Sequence, residues 1–173
     1  MSAPEASENT DLLGIYLNDH HTGATGGLEL FRRAAKTRPD AREAAVLADL
    51  ARQVDEDRDA LSAIMKDLGI PVSGSKAALG WVAEKAGRLK PNGHLLSRSP
   101  LSDVVEAESM LLGVLGKAAC WRTLRALAES DERLSAGQLD ALVDRAERQS
   151  AALEELRAAT AARTLSSRPA DAR

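Results

Sequence analysis

The chain of 173 residues, 44% hydrophobic and 28% charged, has room for one well-buried core and is too short for two. Its formal net charge of −3 and 2% aromatic content exclude a broad basic nucleic-acid surface and a base-stacking platform. A single cysteine, Cys120, excludes an intramolecular disulfide and the cysteine-rich zinc patterns.

Residues 1–10 are polar and acidic, lack the features of a signal peptide, and are expected to be a disordered lead. Residues 11–163 are expected to form one helical domain and 164–173 a disordered tail. No apolar run reaches the roughly 18 residues that a membrane-spanning helix needs. The expected location is the cytoplasm.

The first helix is expected from about Asp11 to Lys36, with Leu12, Ile15, Tyr16, Gly23, Leu30 and Ala34 on one stripe. The second runs from Pro39 to Leu68 on Leu47, Leu50, Val54, Leu61, Ile64 and Met65, and Gly69 followed by Pro71 ends it. A connection over 70–100 follows, carrying a short helix of its own from Ser75 to Leu89.

The third helix is expected from Ser102, as N-cap, to Ala128. Its main stripe is Val104, Val105, Glu108, Leu111, Leu112, Leu115, Ala119 and Arg122, and a second apolar stripe of Met110, Val114 and Trp121 lies opposite, with Lys117 beside it. The fourth is expected from Ser135, which forms a capping box with Gln138, to Ala162. Leu139, Leu142, Ala146, Gln149, Leu153 and Leu156 point inward. No segment alternates as a strand does.

The fold class is therefore all-α: a four-helix bundle of two antiparallel hairpins, since turns of a few residues allow nothing else. A helix of 26 residues spans ~39 Å. The long connection is expected to cross that distance before the third helix begins.

Helical phase places Asp19, His20, Asp57 and Arg58 near the apolar stripes, so polar groups should meet at or inside the core. One reading is a structural layer in which Asp19 pairs with Arg58, with His20 and Gln149 as hydrogen-bonding neighbours, because buried charges demand partners. A second reading is a degenerate metal site drawn from Asp19, His20, Asp57 and Glu108, taking iron, manganese or zinc. Gly23, Gly26 and Gly27 imply close helix approach, room for a bulky neighbour, or a gap admitting a ligand. Met110, Val114 and Trp121 are covered either by the short connecting helix or by a homodimer interface. Cys120 is expected to pack rather than react. The connection is basic at Lys76, Lys85, Arg88, Lys90 and Arg98; a solvated edge is favoured there over an anionic surface partner.

Two hairpins joined by a long crossover resemble the ferritin-like superfamily. The segments LNDHHTGATGGLEL (17–30), LARQVDEDRDALSAIMKDLG (50–69) and VVEAESMLLGVLGKA (104–118) are similar to its first three helices. The resemblance implies a diiron site with a Glu-x-x-His on each of two helices. The chain departs there: Glu56 is followed at the third position by Asp59, Glu147 by Ser150, and no Glu-x-x-His occurs. The expected function is a non-catalytic ferritin-like bundle without cofactor, acting by self-association or protein–protein contact. The alternative is an atypical carboxylate-rich metal or redox protein.

Overall fold

The computed structural model describes residues 3–73 and 99–166, with side chains from residue 12 onward except that of Pro100. Among the described residues there are four helices and no strands: α1 (Ala3–Thr37), α2 (Ala41–Asp67), α3 (Pro100–Leu127) and α4 (Ala136–Leu165). The expected short helix at 75–89, its basic residues and His94 lie outside the described residues.

Local chemistry sets most of the helix ends. Asp40 caps α2, its Oδ1 accepting from the backbone N–H groups of Arg42 and Glu43. At the other end, Gly69 adopts φ +73°, a conformation that side-chain-bearing residues avoid. That turn lets the Ile70 N–H reach Met65 O (2.8 Å) and the Gly69 N–H reach Lys66 O (3.0 Å), closing the helix as a Schellman motif. Ser135 Oγ accepts from the Gln138 N–H, as the capping-box spacing predicts.

Several boundaries differ from expectation, among them the start of α2, which is Ala41 behind the Asp40 cap and not Pro39. Ser99, not Ser102, caps α3, and Pro100 takes the first helical position, where a missing N–H costs nothing. Helix α1 starts at Ala3, so the lead is helical from there. Pro4 and Glu5 are residue types a first turn accepts, and no breaker separates them from Asp11. Helix α4 runs on to Leu165, into the expected tail.

Cross-helix contacts fix the directions. Tyr16 meets Thr123 (3.4 Å) near one end of α1, while Arg33 meets Glu106 (3.2 Å) near the other, so α1 and α3 are antiparallel. Arg163 pairs with Glu43, Gln149 with Gln53 (3.1 Å) and Arg133 with Leu68 O (3.2 Å), so α2 and α4 are antiparallel too. The buried guanidinium of Arg38, between Asp103 (3.2 Å) and Glu43 (3.6 Å), ties the α1–α2 turn to the start of α3. At the opposite end, Asn18 of α1 donates to Pro71 O (3.2 Å) and accepts from the Ser73 N–H (2.7 Å).

The core confirms the predicted stripes of α2 and α4 residue for residue: every position named for them above is buried. On α1 and α3 the expected stripes hold in part: Ala34 and Val104 are buried and Tyr16, Leu30 and Leu111 pack against the core, while other positions differ. The buried face of α1 is Leu17, Leu28, Phe31 and Ala34, while Leu12 and Ile15 are exposed. On α3 the stripe of Met110, Val114 and Trp121 is the core face, and Leu112 and Leu115 face outward. These three residues are therefore no interface, and no outside element is needed to cover them. Both helices carry apolar residues on two sides, so periodicity alone does not choose between faces.

Candidate functional site

Between α1 and α3 lies a cavity of about 790 Å³, reaching from the surface inward to Val114 and Trp121, with Val54, Asp57 and Leu61 of α2 along its wall. Glycines make this space. Counted from the Tyr16–Thr123 and Arg33–Glu106 pairs, Gly23 comes level with Gly116 and Gly26 with Gly113, and all four border the cavity. A Cβ built on Gly23, Gly27, Gly113 or Gly116 would meet nothing within 4 Å. These glycines do not permit close helix packing, which was one expectation for them. Each of the four faces open space where a side chain would fit.

That openness makes a prediction. Gly113→Ala and Gly116→Ala should each stabilise the fold by roughly 0.5–1 kcal/mol, because alanine restricts the unfolded chain and clashes with nothing. Urea unfolding midpoints measure this. A loss of stability would mean that the helices touch there.

The inner wall carries a buried ionic cluster. Asp57 is 1% exposed, and Lys117 of α3 donates to its Oδ2. Lys117 Nζ also donates to Gln149 Oε1 (2.6 Å), and Gln149 Nε2 donates to Asp57 Oδ2 (3.1 Å). Arg145 Nη2 lies 2.5 Å from Asp57 Oδ1. The arrangement joins α2, α3 and α4 at mid-height. Burial lowers the pKa of the Lys117 ammonium, opposed by the attraction of Asp57.

A polar layer thus exists, with membership different from that expected. Gln149 belongs to it. Arg58 does not: it pairs with Asp55 (2.6 Å) and Asp59 (3.2 Å) on its own helix. Asp19 is exposed at the cavity rim and meets no Arg58. The turn geometry explains the shift. Arg32 pairs with Asp55 and His21 with Ser62, which puts Asp57 level with residues near Gly27 rather than Asp19.

The proposed metal ligands do not assemble. Asp19, His20 and Asp57 border one cavity, but Glu108 is exposed elsewhere on α3, close enough to α4 to act on the charge of Arg157. Both Asp57 oxygens already face cationic partners. Among the described residues, no three His, Cys, Asp or Glu side chains gather as a metal would require.

The remaining candidates are quiescent as well. Burial pushes the Cys120 thiol up to about 12, so it stays protonated. His20, edge-on to Tyr16 with ring centroids 4.6 Å apart, has its pKa lowered by burial, opposed by the Asp19 charge. His21, whose Nε2 lies 3.0 Å from Ser62 Oγ, also has a lowered pKa, by burial first and by the Arg58 charge second. The unfolded chain binds these two protons first, at the ordinary 6.5. Their stabilising contribution is complete above that value and is lost as pH falls through it toward the lower folded pKa values. Urea midpoints should fall between about pH 7.5 and 5.5, and His20→Gln/His21→Gln should flatten that fall.

Comparison with family models, with curated proteins and with solved structures finds no match for this chain. No helix among the described residues is long and apolar enough to cross a membrane.

Proposed function

We propose that this chain is a non-catalytic bundle of ferritin-like connectivity that acts by protein contact, self-association included, through the groove between α1 and α3. The observation that carries this is the glycine-edged opening itself. Four glycines with free Cβ positions sacrifice helix propensity over two turns of two facing helices, and the packing of this chain gains nothing from it. Exposed Leu112, at 69%, borders the opening, and Leu12, Ile15 and Leu115 extend the apolar surface on both helices.

The absence of catalysis is supported by how the reactive groups are occupied. Asp57 and Lys117 neutralise one another, and the Cys120 thiol is protonated. The connectivity is supported by where Ser73 and Ser99 lie. Ser73 leaves beside Asn18, Ser99 caps the helix that pairs with Arg38, and those two positions on α1 are separated by ~30 Å of helix. That separation is the one a ferritin-like crossover bridges.

Anilinonaphthalene sulfonate tests the groove directly, since its fluorescence rises in an apolar environment. The folded protein is expected to bind it saturably at one site. Gly113→Leu/Gly116→Leu, which fills the opening, should abolish that signal while circular dichroism stays helical. Undiminished binding by the filled variant would overturn the reading.

A further inference from the structure

We infer that the occupant of this groove is a second copy of the same chain, packed antiparallel, α1 against α1, about a two-fold axis at Gly26. This rests on the groove being the docking element, and it adds the partner and the geometry.

The outer face of α1 is built for such a pairing. Asp19 stands seven residues before Gly26 and Arg33 seven after it, a spacing that keeps all three on one helical stripe. All three border the cavity. In an antiparallel pair centred on Gly26, Asp19 of each copy falls opposite Arg33 of the other. Asp19 is exposed, and no ion pair to it forms within the chain among the described residues. Arg33 spends one Nη2 on Glu106, and its side chain remains 49% exposed, leaving guanidinium N–H groups free to meet a carboxylate.

The apolar part of the stripe obeys the same symmetry. Leu30 lies four residues after the axis and so comes level with Thr22 of the other copy, one residue from the open space beside that copy's Gly23. Gly26 at the centre has no side chain to hold the backbones apart. Ile15, exposed at 62%, and Leu12 continue the stripe toward the ends of the contact. An isologous pairing of this kind closes on itself and leaves no further copy to recruit.

Sedimentation velocity on the full chain, with site-directed oxidation as a second readout, tests the inference. The wild type is expected to sediment at twice the 18.4 kDa chain mass at roughly 100 µM and to dissociate on dilution. Asp19→Arg sets two arginines opposite each other at both ends and should weaken the dimer by at least about tenfold. Since Asp19 is exposed, that variant should stay folded, as circular dichroism reads. Gly26→Cys places two thiols at the axis and should form a disulfide-linked dimer under mild oxidation. Ile15→Cys, whose two copies would stand ~33 Å apart, should not. A monomer at all concentrations, a dimer indifferent to Asp19→Arg, or equal cross-linking at Ile15→Cys would each overturn the pairing. Dye binding distinguishes the two failures: a monomer that binds dye retains the groove as a docking element and loses only the second copy as its occupant.

Discussion

Asp57→Ala is expected to destabilise the protein by about 3–5 kcal/mol, as removal of one partner from a buried ion pair does. The carboxylate is 1% exposed and faces Lys117 and Arg145 together. Its removal leaves the Lys117 ammonium inside the bundle with Gln149 Oε1 as its remaining acceptor. The cost comes from that stranded charge, not from loss of an intrinsically strong bond, because desolvation of the pair offsets much of its attraction. The double variant Asp57→Leu/Lys117→Met should therefore recover most of the loss. Urea unfolding of the two single variants and the double variant measures both effects. A double variant as unstable as Asp57→Ala would mean that the layer stabilises through the pair itself.

The second large effect concerns the orientation of α3. Trp121→Ala should cost about 3–5 kcal/mol, as truncation of a large core aromatic does. Leu112→Ala, nine residues earlier on the exposed face, should change stability by less than about 0.5 kcal/mol in the monomer. If α3 were turned to bury Leu112 and Leu115, the order would reverse. Trp121→Phe should cost far less than the alanine change, because Trp121 Nε1 has no hydrogen-bond partner to lose among the described residues.

That contrast marks where the sequence was sufficient and where it was not. Helices α2 and α4 each have one apolar stripe, such as Leu139-Leu142-Ala146-Leu153, against charged remaining faces, so their phase could be read directly. Helices α1 and α3 carry apolar residues on both the core face and the groove face. For Ile15 against Leu17, or Leu112 against Val114, periodicity gives two answers, and only the packing of α3 on α1 and α4 selects one. The two helices that resisted reading are the two that border the candidate site.

The ionic cluster failed to be legible for a related reason. Lys117 shares a face with Val114 and Trp121, and once that stripe is the core, the lysine must find a buried anion. Arg145 sits four residues before Gln149 on the inward side of α4, which was the remaining signal. An Asp19–Arg58 pair requires a hairpin symmetric about its turn, whereas the Arg32–Asp55 and His21–Ser62 pairs set the register several residues away. The glycines announced an exception to helix propensity without revealing its sense. Close contact and open space demand the same residue, and only the empty surroundings of the four Cβ positions decide between them.

The central claim is that the α1–α3 groove is the surface this protein uses. An amide ¹H–¹⁵N spectrum titrated with anilinonaphthalene sulfonate tests it most directly, at protein concentrations low enough to keep the chain monomeric. Shifts are predicted at Gly23, Gly26, Gly27, Gly113 and Gly116, with Gly69 and Gly137 unmoved. Shifts centred on the shallower depression between α2 and α4 at Ala45, Asp49 and Arg148, with the groove glycines still, would contradict it.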